Sequence, residues 1–176
     1  MKQFAGAFIG LLISFSAYTQ IEVDFIQSVG AGYYTSFLTQ VPTLHYQPRV
    51  NFFEISDKAA ISFDLRLAGG YFEEPQDIAS DAYVVIEIPI LINFNYGCGA
   101  TRVADEHIGY YGGLGWGNEI AYGEYYSTGP MFNAGFRFDI DEKSPIDINV
   151  GLMLDVTRNY NNVFSAGISY MFGMLK

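Results

Sequence analysis

Beyond residue 20 the chain alternates between apolar and polar positions. Stretches of about ten residues place an apolar side chain at every second position, which is the period of a strand with one face in an apolar medium. Over residues 61–68, Ile61, Phe63, Leu65 and Leu67 share one face, and Ser62, Asp64, Arg66 and Ala68 share the other. Over residues 84–96 the even positions are Val84, Ile86, Ile88, Ile90, Ile92, Phe94 and Tyr96, with Glu87, Pro89, Asn93 and Asn95 between them. The same pattern covers residues 132–140, 146–156 and 164–172, and a less regular form covers 23–34, 46–55 and 107–118. About eight strands follow, each close to the 9–11 residues of a tilted membrane strand. No helical period appears after residue 20, so the pattern predicts one all-β domain.

The polar face decides which way such a barrel is turned. It is rich in Gly, Ser and Asn and carries charges of both signs at Arg49, Asp64, Arg66, Glu87, Arg137, Asp139 and Asp155. Small residues and pairable charges suit the crowded interior of an eight-stranded barrel, whereas a surface in water would carry mixed charges throughout. The four lysines, Lys2, Lys58, Lys143 and Lys176, all fall outside the predicted strands. The apolar face carries no mid-strand charge. The expectation is therefore a transmembrane up-and-down antiparallel β-barrel, apolar outside, with the seven charged residues forming a connected network in the lumen, because a buried ion left unpaired is costly. A one-residue slip of residues 84–96 would turn Glu87 to lipid, so the register is well specified.

Aromatic residues gather toward strand ends, as the two interfacial girdles of a membrane barrel do. Residues 57–58 and 141–144 read as short periplasmic turns, and 36–45, 73–81 and 119–127 as long outer loops. Residues 97–106 are long for a periplasmic turn.

The first residues have another character. Met1-Lys2, an apolar run over residues 4–15 and small residues at Ser16, Ala17 and Thr19 make the layout of a secretory signal peptide. The expected division is a cleaved leader over residues 1–19 and a barrel domain over 20–176. An exported chain of this kind implies localisation in the outer membrane, with its lipid and the barrel insertion machinery as partners.

The run Ile86-Glu87-Ile88-Pro89-Ile90-Leu91-Ile92-Asn93-Phe94-Asn95-Tyr96-Gly97, the Gly-rich Tyr110-Tyr111-Gly112-Gly113-Leu114-Gly115 and the closing Ala166-Gly167-Ile168-Ser169-Tyr170-Met171-Phe172-Gly173 resemble the small outer-membrane barrels called porT-like or OmpX-like. The resemblance implies that Pro89 sits at an irregularity of the ladder. It also implies a place in the cell envelope, with some similar chains being components of secretion machinery. One departure is that Gly173-Met174-Leu175-Lys176 follow Phe172, where the family's assembly signal ends on an aromatic residue.

The charge of −10 speaks against nucleic-acid binding, which needs basic patches. There is one cysteine, Cys98, hence no intrachain disulfide. No nucleotide loop or zinc spacing occurs, and Asp139, Asp141 and Lys143 lack the glycine and terminal glutamate of a calcium loop. No metal and no cofactor is expected. His45 with Ser36 is the one conceivable base–nucleophile pair, and nothing supplies its third group. The sequence thus predicts a monomeric, non-enzymatic barrel with a structural, surface-interaction or secretion-accessory role and an envelope or secretion protein as partner. The alternatives are a narrow-pore transporter of a small solute and a lipid-modifying enzyme at the outer rim.

Overall fold

A computed structural model of the chain describes residues 23–36, 39–74, 81–121, 125–140, 145–157 and 162–173. The leader predicted over residues 1–19, with its cleavage site, lies outside them, as does the turn at 141–144.

Ten strands are described: β1 (Asp24–Ser36), β2 (Thr39–Ser56), β3 (Ala59–Leu65), β4 (Leu67–Glu74), β5 (Asp81–Glu87), β6 (Ile90–Gly97), β7 (Ile108–Ala121), β8 (Tyr125–Phe138), β9 (Ile146–Met153) and β10 (Val163–Phe172). β3 and β4 form one stave interrupted at Arg66, and β5 and β6 form another interrupted at Ile88-Pro89. The result is a closed antiparallel barrel of eight staves, sealed by the β1–β10 ladder from Gln27↔Phe172 to Thr35↔Phe164. Closure gives each strand two neighbours, which is how a sheet satisfies its backbone without water.

The interruptions are small. Arg66 N donates to Pro89 O at 3.2 Å, and Ile88 N donates to Asn118 O at 2.8 Å, so the two broken staves lean on their neighbours at one height. Proline removes a ladder donor, and the chain places Pro89 where the ladder already pauses. The period survives the break: Val84, Ile86, Ile90, Ile92, Phe94 and Tyr96 all face outward, while Val85, Glu87, Leu91, Asn93 and Asn95 are buried inside.

The exterior is apolar on every stave. Phe63, Ile92, Leu114, Phe132, Ile148 and Ile168 are all exposed, Leu114 to 63%. In water such a continuous belt would be an aggregation surface. Against hydrocarbon it is the surface that a transmembrane barrel requires. The faces are thus turned as the polar side of the pattern predicted.

The structure corrects two of the predicted outer loops. Residues 36–45 are almost wholly ladder, with β1 and β2 paired up to Ser36↔Thr39, and 119–127 are bridged by β7 and β8 up to Ala121↔Tyr125. Polar residues and a relaxed period read as loop in the sequence. A hairpin outside the bilayer keeps its backbone bonds whatever its side chains do, so the strands run on.

Residues 97–107 account for the connection that looked too long. Gly97 and Gly99 take positive φ of 77° and 65°, which only glycine adopts without strain. They turn the chain back into the barrel mouth, where Cys98, Ala100, Thr101 and Ala104 are buried. Lys58 and Glu106 form an ion pair at the rim of this end, and Arg102 Nε meets Asp24 Oδ1 at 3.2 Å.

Candidate functional site

Among the described residues, two polar groups and one apolar cluster fill the lumen. At the mouth that carries residues 97–107, inward positions of five staves converge on two guanidinium groups. Arg137 on β8 pairs through Nε with Asp147 Oδ2 on β9 at 2.9 Å and donates from Nη1 to Asn95 Oδ1 at 2.9 Å. Arg49 on β2 donates from Nη1 to the same Asn95 oxygen at 3.1 Å. Its Nη2 donates to the Gly99 carbonyl. Asn51 Nδ2 donates to Ala100 O at 2.9 Å, so the inward-folded connection is tied down by β2. Tyr111 lies under the Arg137 guanidinium, 4.0 Å from ring centroid to Cζ, and its hydroxyl donates to Asp147 Oδ1 at 3.1 Å. Asp64 accepts from Gln47 Nε2 at 3.0 Å and from Ser62 Oγ at 2.5 Å.

The room beside this network, next to Arg49, Asp64, Arg137 and Asp147, is about 10 Å³. That is the threshold for a single water and far below any solute.

A second buried polar group is made of Arg66, Glu87, Glu119 and His45. Glu87 stands directly opposite Glu119 across the β5–β7 ladder, with Arg66 as the nearby cation. The buried apolar side chains Tyr34, Val41, Val85, Leu91, Met131, Met153 and Val163 form one cluster.

Of the seven charged residues singled out in the sequence, Arg49, Asp64, Arg66, Glu87 and Arg137 therefore lie in the lumen. Asp139 and Asp155 are half-buried and lie just past the last strand residues, Phe138 of β8 and Met153 of β9. Asp155 bonds its own loop at Thr157. The residue that pairs with Arg137 is Asp147, which lies on the polar face of residues 146–156 and was legible there by parity. Asn95, Tyr111 and Asn149 were legible in the same way, and Asn149 Nδ2 joins Asp147 at 3.3 Å.

The conceivable pair of His45 and Ser36 is not assembled. Ser36 is the ladder partner of Thr39, and His45 lies six residues further along β2, roughly 20 Å at the strand rise. Among the described residues no group of three or more His, Cys, Asp or Glu is placed to hold a metal ion.

No protein-family model matches the chain, and no curated protein does. Solved structures do. The attachment invasion locus protein Ail of Yersinia pestis is 13% identical, with a TM-score of 0.53 over 85% of this chain and 97% of its own. Neisserial surface protein A is 13% identical, with a TM-score of 0.54 over 84% and 93%. The outer membrane enzyme PagL is 10% identical, with a TM-score of 0.51 over 84% and 98%. These likenesses show the fold. The chain is a small barrel of the outer-membrane kind, and the three named neighbours already differ in what they do.

Proposed function

We propose that this chain is a monomeric outer-membrane barrel that passes no solute and catalyses no reaction, and that it works through contacts at its hairpin end. Its role is structural, or it binds a surface or secretion partner, in keeping with the porT-like resemblance. The single observation that carries this reading is the closed lumen. The connection at 97–107 folds into one mouth, Arg49, Arg137 and Asp147 fill the space behind it, and the cavity there is of about 10 Å³. A barrel plugged in this way offers its surroundings only its wall and its rims. Both ends of the described chain lie at the plugged mouth, which we assign to the periplasm. The hairpin tips then face outward, and the lipid and the barrel insertion machinery are its partners on the way there.

The experiment has two parts. Gel mobility of the outer-membrane fraction, boiled against unboiled, should show the heat-dependent shift of a closed barrel. The purified barrel in planar bilayers and liposomes should then show no conductance, no solute uptake and no turnover of phospholipid or lipopolysaccharide. Uptake that changes in Arg66→Ala or Glu87→Ala would replace this reading with the transporter. Lipid turnover that is lost in His45→Ala would replace it with the rim enzyme. A single band in the soluble periplasmic fraction would end the membrane reading altogether.

A further inference from the structure

The connection between β6 and β7 is longer than a hairpin needs. Turns of about two to five residues join antiparallel neighbours, whereas residues 98–107 all lie between these two strands. The extra length carries the chain across the mouth. Around the eight staves, β6 and β7 stand halfway round from β10 and β1. The connection is rooted on its own side, where Gly97 N donates to Lys58 O at 2.8 Å and Cys98 N to Ile108 O at 3.0 Å. Its middle residues reach the opposite side. Arg102 N donates to Asp24 Oδ2 at 3.1 Å, and Arg102 Nε lies 3.2 Å from Asp24 Oδ1. Arg102 Nη2 donates to the Phe25 carbonyl at 3.3 Å. Gly99 lies against β10: a Cβ built on it would stand 3.1 Å from Cε of Met171, which is buried. One connection therefore touches both the first strand and the last.

The line where those strands meet is the weak line of the barrel. Every other neighbouring pair of staves is joined by a stretch of chain, while β1 and β10 are held by their ladder alone. Parting any other pair leaves its hairpin closed. Parting this one frees the two ends of the whole chain, and the entropy released grows with the length between them. Among the described residues the seam ladder reaches Gln27↔Phe172, and Asp24, Phe25 and Ile26 lie beyond it. The Phe25 carbonyl is on the β10 side, 3.5 Å from a Cβ built on Gly173. The Arg102 guanidinium thus supplies a donor at the point where the described ladder stops. The buried carboxylate of Asp24 meets a cation and a backbone N–H together, and charge-assisted contacts of this kind are the strong ones.

We infer that the connection at 97–107 is a latch for the β1–β10 seam. It spans the mouth from the opposite wall and holds the first strand against the last, so the barrel parts sideways only after Arg102 has released Asp24. This role concerns the wall and is separate from the filling of the mouth. An order of assembly follows from it. Asp24 and Met171 come to one place only when the two terminal strands have met, so the latch closes after the seam and completes the barrel.

The test is amide hydrogen exchange of the mature barrel in phospholipid vesicles, read by peptide mass spectrometry. Arg102→Ala should speed exchange at the mouth ends of β1 and β10 about tenfold, the effect of losing one charge-assisted hydrogen bond, and should change the mouth ends of β7 and β8 by less than about twofold. Lys58→Ala removes the exposed ion pair with Glu106 on the same connection and should leave the seam unchanged. If Arg102→Ala yields no heat-shifted band, Asp24→Asn should give the same seam-selective rise. A rise shared equally by all staves would overturn the latch, because Arg102 would then add only to overall stability. An unchanged rate at β1 and β10 would overturn it as well, as would a seam-selective rise in Lys58→Ala equal to that in Arg102→Ala. Each of these results leaves the membrane barrel intact, whereas loss of the heat-dependent shift in the unaltered protein would remove barrel and latch together.

Discussion

Arg137→Ala is the perturbation that bears most directly on the plugged lumen. Arg137 is 1% exposed. It pairs with Asp147 at 2.9 Å, shares Asn95 with Arg49 and reaches the Gly99 carbonyl at 3.4 Å. Removing one member of a buried pair strands the other, at about 3–5 kcal/mol. Asp147 would still accept from Tyr111 at 3.1 Å and Asn149 at 3.3 Å, and the vacated volume is polar enough to take water. The lower end, about 3 kcal/mol, is therefore expected, roughly a hundredfold in the folding equilibrium. Urea titration in lipid vesicles, followed by emission of the single tryptophan, Trp116, measures it. Arg137→Met with Asp147→Leu should recover most of the loss, because replacing both charges removes the stranded ion. The coupling from the double-mutant cycle should exceed the additive expectation by well over 1 kcal/mol. A single variant that costs less than about 1 kcal/mol would mean that the pair is not the dry, desolvated contact from which the magnitude was derived.

Three further outcomes test other parts of the molecule. Gly113→Ala should lower the folded fraction on heat-shift gels, because its Cβ would press on the Ile92 carbonyl and Asn93, while Gly112→Ala should be tolerated. Leu114→Arg, on the lipid-facing side, should cost about 2–4 kcal/mol if it lies near the bilayer midplane, read from unfolding in vesicles. Cys98 is 1% exposed and should resist a maleimide in the native barrel. It should react once Arg49→Ala and Asn51→Ala free the Gly99 and Ala100 carbonyls that hold the plug. An unchanged labelling rate in that double variant would count against the plug being held by β2.

The sequence by itself determined the strands, their faces and the direction in which the barrel is turned. A strand has period two, and a slip of one residue would put Glu87, Arg137 and Asp64 into lipid together, so the apolar pattern admits one register on each stave. It also determined which side chains enter the lumen, for as long as a strand lasts. Asp147 and Asn95 carry the right parity and are inside. Asp139 and Asp155 carry it too and lie half-buried just past the last strand residues, with backbone bonds to the neighbouring staves continuing at Asp139, Leu154 and Val156. Strand ends were harder to read. Backbone pairing with a neighbour extended β2 to Thr39 and β7 to Ala121, and no side-chain period marks such a ladder outside the bilayer.

Only the closed structure decided who meets whom. The pairing of Arg137 with Asp147, and the sharing of Asn95 by Arg49 and Arg137, depend on the stagger at which eight staves close. That is a property of all the ladders at once and of no single segment. The inward fold of 97–107 has no periodic signal, because a plug is held by carbonyls accepting from distant arginine and asparagine side chains.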